Sequence, residues 1–268
     1  MKRSERLVAL TSILQSRPNE LLPLGFFADL FATAKSTISE DLVSIREILR
    51  FSGRGTLETV PGAAGGVKYI PLIEKNDAEQ LLERLAEELS SPERILPGGF
   101  IYMADILYDP AVVRPLGLIF AGIFREKEPD VVVTIETKGI PLALMTADAL
   151  GIPTVVVRHG NKVTEGSSVS INYVSGSSKR IQTMSLTRKA LETGKKVLII
   201  DDFLKAGGTA RGIMSLMQEF DAEVVGLGVL MEVAVENTTR LVDRYHALLQ
   251  LAEIDPLAKK SVVRANKL

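Results

Sequence analysis

The chain contains no cysteine among its 268 residues. Disulfides and thiolate metal sites are therefore excluded, and no thiol can act as a nucleophile. Histidine is scarce as well: His159 and His246 are the two present. A multi-histidine metal centre is a poor reading, and both are taken as structural. No stretch reaches the roughly 18–20 consecutive apolar residues that a bilayer span needs. The opening MKRSERLVAL is charged and lacks the apolar core and small-residue cleavage site of a signal peptide. A cytoplasmic protein with no membrane association is the expectation. Also missing are an internal repeat, a low-complexity tail and a global basic charge, the formal net charge being −1.

What is present is ordinary globular material, 46% hydrophobic and 24% charged, enough for a small domain joined to a medium one. Residues 1–72 carry nine Lys/Arg against seven acids, a net +2, which leaves −3 for the remainder. The asymmetry permits an anionic partner at the N-terminal end.

Three helical patterns open the chain. Leu7, Val8, Leu10, Ile13 and Leu14 line one face of a helix from Ser4 to Gln15. A second, from Leu24 to Phe31, is expected to bury Phe26, Phe27, Leu30 and Phe31. Ser36 reads as the N-cap of a third, which runs to Leu49 with Ile38, Leu42, Ile45 and Leu49 at helical spacing. Two short stretches, Thr56 to Val60 and Val67 to Ile70, flank a Gly-rich turn. Three helices and a hairpin make a winged helix-turn-helix over 1–72. A helix from Asn76 to Ser90 follows, and the pattern then changes to strand–helix alternation over 73–268. Strands are read at Val131–Glu136, Pro153–Arg158, Val197–Asp201 and Glu223–Val233, with helices at Gly139–Leu150 and Thr209–Phe220. Buried Val/Ile/Leu strands separated by helices indicate α/β architecture with a mainly parallel sheet. Met214 and Met217 read as core packing.

The strongest chemical signal runs from Val197 to Thr209: an apolar strand, Asp201-Asp202, then Phe203, Leu204, Lys205, Ala206 and Gly207-Gly208-Thr209 entering a helix. A helix N-terminus presents unpaired N–H groups and the positive end of its dipole to an anion. The glycines let backbone approach a phosphate, and the paired acids suit sugar hydroxyls, one bond per carboxylate oxygen. The implied ligand has a 5′-phosphate and a ribose diol. The spacing is neither a Walker loop nor a dinucleotide fingerprint. A second strand end carries Thr137-Lys138-Gly139, and Arg158 closes the next strand. Strand ends of an open α/β sheet converge on one crevice, so Lys138 and Arg158 are candidates to hold further anionic charge of the ligand. Taken singly, each is more often a solvated cation.

The segment Val197 to Thr209 resembles the phosphoribosyl pyrophosphate (PRPP) motif of the type I phosphoribosyltransferases. Thr137-Lys138-Gly139 matches the short loop that holds pyrophosphate in that family, and the Gly/Ser-rich Gly160 to Arg180 stands where its flexible loop covers the ligand. With a winged helix in front, nearly the whole chain is similar to the purine operon repressors of the PurR type. The stretches carrying that likeness are Ser36 to Asp41, Ile135 to Ala143, Asn161 to Ser185 and Asp201 to Thr209. Lys205-Ala206, where catalytic relatives usually have a small residue and Thr, follows the repressor pattern too. The resemblance implies a homodimeric regulator of purine biosynthesis and transport genes that binds operator DNA and is released by PRPP. The effector would enter with Mg2+, no other cofactor being required, and a guanine nucleotide alarmone would compete for the pocket. Whether such a protein represses, activates or does both is left open by the sequence.

At the DNA end, Ser36, Thr37 and Ser39 start the third helix, where a recognition helix offers side chains to base edges. Lys35, Arg46, Arg50 and Arg54 are candidate phosphate or groove contacts, with Lys68 on the wing. For each alone, a solvated helix face is an equally good reading. The small charge of one domain suggests that two copies act on two half-sites. The competing reading is a catalytically active purine phosphoribosyltransferase, which needs a nucleobase pocket. Tyr102, within Phe100 to Leu107, is the candidate for a hood over the ligand, but no base-reading constellation is visible.

Overall fold

In the computed structural model, the residues described are all except 63, 161–165, 175–179 and 235–239. The chain forms two compact units: Met1–Glu74 together with Asp148–Gly151, and Lys75–Ala147 together with Ile152–Leu268.

The first unit holds α1 (Arg3–Gln15), α2 (Leu24–Leu30), α3 (Lys35–Phe51), β1 (Thr56–Val60) and β2 (Gly66–Ile70). The strands pair antiparallel, from Thr56 opposite Ile70 to Val60 opposite Gly66. The core is built by the spacing seen in the sequence: Leu10 and Leu14, Phe27, Ile38, Leu42, Ile45 and Leu49 close on Leu57, Val67 and Tyr69. A fully buried side chain of this size contributes about 1.5–3 kcal/mol. Two expectations need correction. Ser36 is not the N-cap, since α3 already begins at Lys35 and its cap, Ala34, makes no side-chain bond. In α2, Phe27 is buried, whereas Phe26 and Leu30 are exposed. A seven-residue helix has room for only one inward stripe.

Polar groups fasten this unit. The buried Asp41 carboxylate accepts from Arg6 Nε at 2.6 Å and from Arg3 Nε at 3.0 Å, joining α1 to α3. Burial alone would raise its pKa; the hydrogen bonds from Arg6 and then Arg3 outweigh that and hold it below the usual aspartate range.

The second unit is organised on an eight-stranded sheet in the order β12-β11-β10-β9-β5-β6-β8-β7. Its centre is parallel: β5 (Val131–Ile135), β6 (Thr154–His159), β9 (Lys196–Leu204), β10 (Glu223–Val233) and β11 (His246–Asp255). Helix α7 (Ile140–Leu150) connects β5 to β6, and α8 (Gly208–Gln218) connects β9 to β10. On one face, Ile213, Leu216 and Met217 of α8 pack on Val133, Val157, Ile199 and Leu227, with Met214 partly buried beside them. On the other, α6 (Pro110–Phe124) sets Phe120 and Phe124 over Gly228 and Gly226. α4 (Lys75–Leu89) buries Leu81, Leu82, Leu85 and Leu89. A small ribbon, β3 (Ile95–Leu96) with β4 (Phe100–Ile101), and the short α5 (Ala104–Leu107) precede α6.

The segment from Gly160 to Arg180 is not simply a long loop. It contains β7 (Ser168–Val174), which pairs antiparallel with β8 (Ile181–Thr187) along seven residue pairs. Its stretches 161–165 and 175–179 lie outside the described residues. Ser, Asn and Thr on the outward side disguise the strand, while Val169, Tyr173, Met184 and Leu186 are buried on the other. At the far edge, β12 (Lys260–Ala265) turns antiparallel on β11. No helix among the described residues is long and apolar enough to cross a membrane.

Candidate functional site

The C-terminal end of β9 delivers the residues singled out by sequence. Asp201 and Asp202 sit in its last half, and Phe203 and Leu204 complete it. Lys205 and Ala206 turn the chain, and Gly207 stands as N-cap of α8 at φ +83°. That left-handed conformation suits glycine, and a Cβ there would lie 2.8 Å from Val242 Cγ2. Gly207 carbonyl accepts from Arg211 N–H at 2.8 Å, and Ala206 carbonyl from Leu241 N–H at 3.0 Å, so the turn is held from both sides. Gly208 and Thr209 open the helix, whose first N–H groups and dipole point outward. A cavity of about 80 Å³ lies here, lined by Asp201, Phe203, Lys205, Gly207 and Thr209 among others. That volume suits a single phosphate-sized group, so a larger ligand would extend beyond its mouth.

The two acids are not equivalent. Asp201 is 8% exposed, while Asp202 is half-buried. Asp201 Oδ1 accepts the Asp202 N–H at 2.9 Å. Burial, and then the charge of Asp202 alongside, hold the Asp201 carboxyl well above the usual range. It meets the second motif directly. A Cβ on Gly139 would lie 2.6 Å from both Asp201 Oδ1 and Thr134 Oγ1. Gly139 is thus glycine because a buried carboxyl presses on it. Thr134 is completely buried, and its hydroxyl has no hydrogen-bond partner. Such an orphan is uncommon and calls for an explanation. Sequence reading passed over it, since one threonine in an apolar strand carries no signal.

Thr137 and Lys138 are exposed beside this point, after a cis Glu136–Thr137 peptide. Arg158 is brought near through Glu136, whose Oε2 lies 3.4 Å from Arg158 Nη1 and whose Oε1 accepts His159 N–H at 2.6 Å. The arginine read as a candidate to hold anionic charge is therefore already paired with Glu136. Tyr173 is a further residue that sequence reading missed. It is buried on β7 and its hydroxyl donates to Gln182 Oε1 at 2.8 Å. Burial raises its phenol pKa, a hydrogen bond with Thr209 opposes this, and the charge of Asp201 adds to it. The ribbon is thus packed on the start of α8. Tyr102, the expected hood residue, is 43% exposed, follows β4, and does not line the phosphate-sized cavity.

In the first unit, Lys35, Ser36 and Ser39 are exposed along the start of α3 and Thr37 is half-buried. Arg46 is committed to the fold: Nε donates to Leu57 carbonyl at 2.9 Å and Nη2 to Thr59 Oγ1 at 2.7 Å. Arg50 Nε donates to Thr56 Oγ1 at 3.0 Å. Both arginines therefore brace α3 against the wing. Arg54 is exposed in the turn before β1, and Lys68 pairs with Glu58 across the hairpin at 3.6 Å.

Fold and site define a winged-helix protein whose second domain is a phosphoribosyltransferase fold. Residues 2–71 match the family model described as bacterial purine repressor, N-terminal, and residues 103–263 match the phosphoribosyl transferase domain. The chain is 55% identical to the purine biosynthesis transcriptional repressor PurR of Bacillus subtilis, covering 97% of this chain and 91% of that protein. It is 44% identical to the purine biosynthesis transcriptional activator PurR of Lactococcus lactis, covering 98% and 96%. Among solved structures, the adenine phosphoribosyltransferase of Rhodothermus marinus superposes with a TM-score of 0.53 at 27% identity, covering 64% of this chain and 99% of that one. The chain belongs to the PurR family of purine biosynthesis transcriptional regulators.

Proposed function

We propose that this regulator binds operator DNA of purine genes as a homodimer and is released when PRPP occupies the turn at Gly207. The observation that carries the reading is the joining of two sequence motifs at one point: Asp201 of the β9 strand end lies against Gly139 of the β5 strand end. The 5′-phosphate would sit on the N–H groups of Gly208 and Thr209 with the Thr209 hydroxyl. Asp202, the more accessible acid, would take the ribose hydroxyls, and Lys138 with the exposed Lys205 would face the pyrophosphate. Arg158 would contribute on exchange of its Glu136 partner. The donor set suits a hard divalent cation such as Mg2+, which would arrive on the ligand's own oxygens beside the two carboxylates. A guanine nucleotide alarmone, also rich in phosphate, would compete for the same turn.

The DNA face would be the exposed start of α3, with Ser36 and Ser39 toward bases and Lys35 and Arg54 toward phosphates. Arg46 and Arg50 would hold the recognition helix at its angle to the wing, using their remaining N–H groups for the backbone. The test is a gel shift on DNA upstream of purine genes. Binding that is lost on adding PRPP with Mg2+ is expected; binding retained at saturating PRPP would refute the sensor mechanism. Turnover of PRPP with xanthine, guanine or adenine would favour an enzyme instead.

A further inference from the structure

α8 borders a second concavity, a notch in the sheet, besides the one at the effector turn. β11 joins β10 only from His246, which pairs with Gly228. Among the described residues, the strand ahead of that point, Glu223 to Leu227, pairs with no strand on this side. The end of α6 lies on one side and the length of α8 on the other, enclosing a cavity of about 570 Å³. This is within the range of small-molecule sites, about 300–1,000 Å³.

Its lining separates by chemistry. The floor is apolar, with Met214 and Leu227 among its residues. One wall is aromatic, where the His246 ring meets Phe124 edge-on with centroids 5.2 Å apart. Around these stand three cations, Lys127, Arg211 and Arg244, and among the described residues no carboxylate belongs to the lining. None of the three is in an ion pair among the described residues, whereas Arg3, Arg6, Arg94 and Arg240 all are. Cations facing one concavity without acids repel one another, and an anion placed between them relieves that repulsion.

We infer that this notch binds a nucleotide, its phosphates on Arg211, Arg244 and Lys127 and its base on the apolar floor beside Phe124. Guanidinium groups match phosphate oxygens in a fork geometry, and a flat ring stacks on an apolar floor whereas inorganic phosphate gains nothing there. The concave shape favours a small molecule over duplex DNA. Apart from Leu227, the notch and the cavity at the effector turn are lined by different residues, and Arg211 of α8 lines the notch alone.

The experiment titrates the full chain with the fluorescent nucleotide mant-ADP while PRPP and Mg2+ are held at saturation, so that the effector turn is occupied. Saturable binding is expected, weakened about tenfold or more in Lys127→Gln/Arg244→Gln. The same variant should keep PRPP-sensitive operator binding, which also reports that it is folded. Tripolyphosphate should displace the probe, though less well than ADP. No saturable binding up to about 1 mM, or binding indifferent to the double substitution, would overturn the inference. So would tripolyphosphate matching ADP, operator DNA displacing the probe when tripolyphosphate does not, or a double variant that shifts only the oligomeric state. The last result would make the notch a contact between copies. Arg211→Gln, on α8, provides a second variant read for mant-ADP binding alone, with a smaller loss expected.

Discussion

Two aspartates are buried among the described residues, one in each unit, and their surroundings are opposite. Asp41 lies between α1 and α3 with Arg6 and Arg3 on its oxygens, and its pKa is held down. Asp201 lies at the end of β9 with Asp202 beside it and an unpartnered threonine hydroxyl nearby, and its pKa is pushed up. A carboxylate with its countercharges in place is finished and holds helices together. One left without them keeps unspent interaction capacity, which a ligand's hydroxyls or a cation can use. The contrast separates a structural acid from one poised for binding by environment alone.

The largest effect tests the structural side. Asp41→Ala leaves the Arg6 guanidinium buried and unpaired, and the loss expected is about 3–5 kcal/mol, read from denaturant unfolding of the N-terminal transition. A loss below about 1 kcal/mol would place the pair among ordinary surface bridges and erase the contrast. Arg3→Ala should cost no more than about 1 kcal/mol, because Arg3 is 62% exposed.

Next comes the division of labour between neighbouring acids. Asp202→Asn should weaken PRPP about ten- to a hundredfold in calorimetry, since charged hydrogen bonds contribute about 1.5–3 kcal/mol, while thermal stability stays near that of the parent. Equal tolerance of PRPP by this variant and the parent would remove Asp202 from the diol.

pH gives a third and finer test, with opposite signs for the two buried aspartates. Asp41 stabilises the fold above the unfolded aspartate pKa of about 3.9, and that contribution is lost as pH falls through its lowered folded value. Asp201 contributes fully below about 3.9 and loses that contribution as pH rises through its raised folded value. Asp201→Asn should therefore gain stability relative to the parent as pH climbs, in melting curves without ligand. A gap that stayed constant with pH would contradict the raised value.

The smallest expected change is at Thr134→Val. Deleting an unsatisfied buried hydroxyl with a side chain of the same shape should be neutral or slightly stabilising, within about 1 kcal/mol. A loss of several kcal/mol would show that the hydroxyl is already bonded.

Contiguity decided how much of this was legible in the chain. Val197 to Thr209 could be read because strand, acids and Gly-Gly-Thr follow one another, and the winged helix because Ile38, Leu42, Ile45 and Leu49 keep one period. The contact between Gly139 and Asp201 joins residues distant in sequence, so spacing could not show it. Nor could it show that Asp201 faces inward and Asp202 does not. The β7–β8 ribbon was hidden by its polar outer face, and β11 and β12 by the polar residues that interrupt their apolar runs. That Arg46 and Arg50 also brace α3 against the wing was hidden because sequence shows charge and not the acceptor, here Leu57 carbonyl and the Thr59 and Thr56 hydroxyls.

The central claim is that the Gly207 turn takes a sugar phosphate, and calorimetric titration of PRPP with Mg2+ into the parent chain and into Gly207→Ala tests it most directly. A single saturable site in the parent, lost in the variant while its sheet still melts cooperatively, is the predicted result. A flat trace from the parent, or identical isotherms from both proteins, would contradict it.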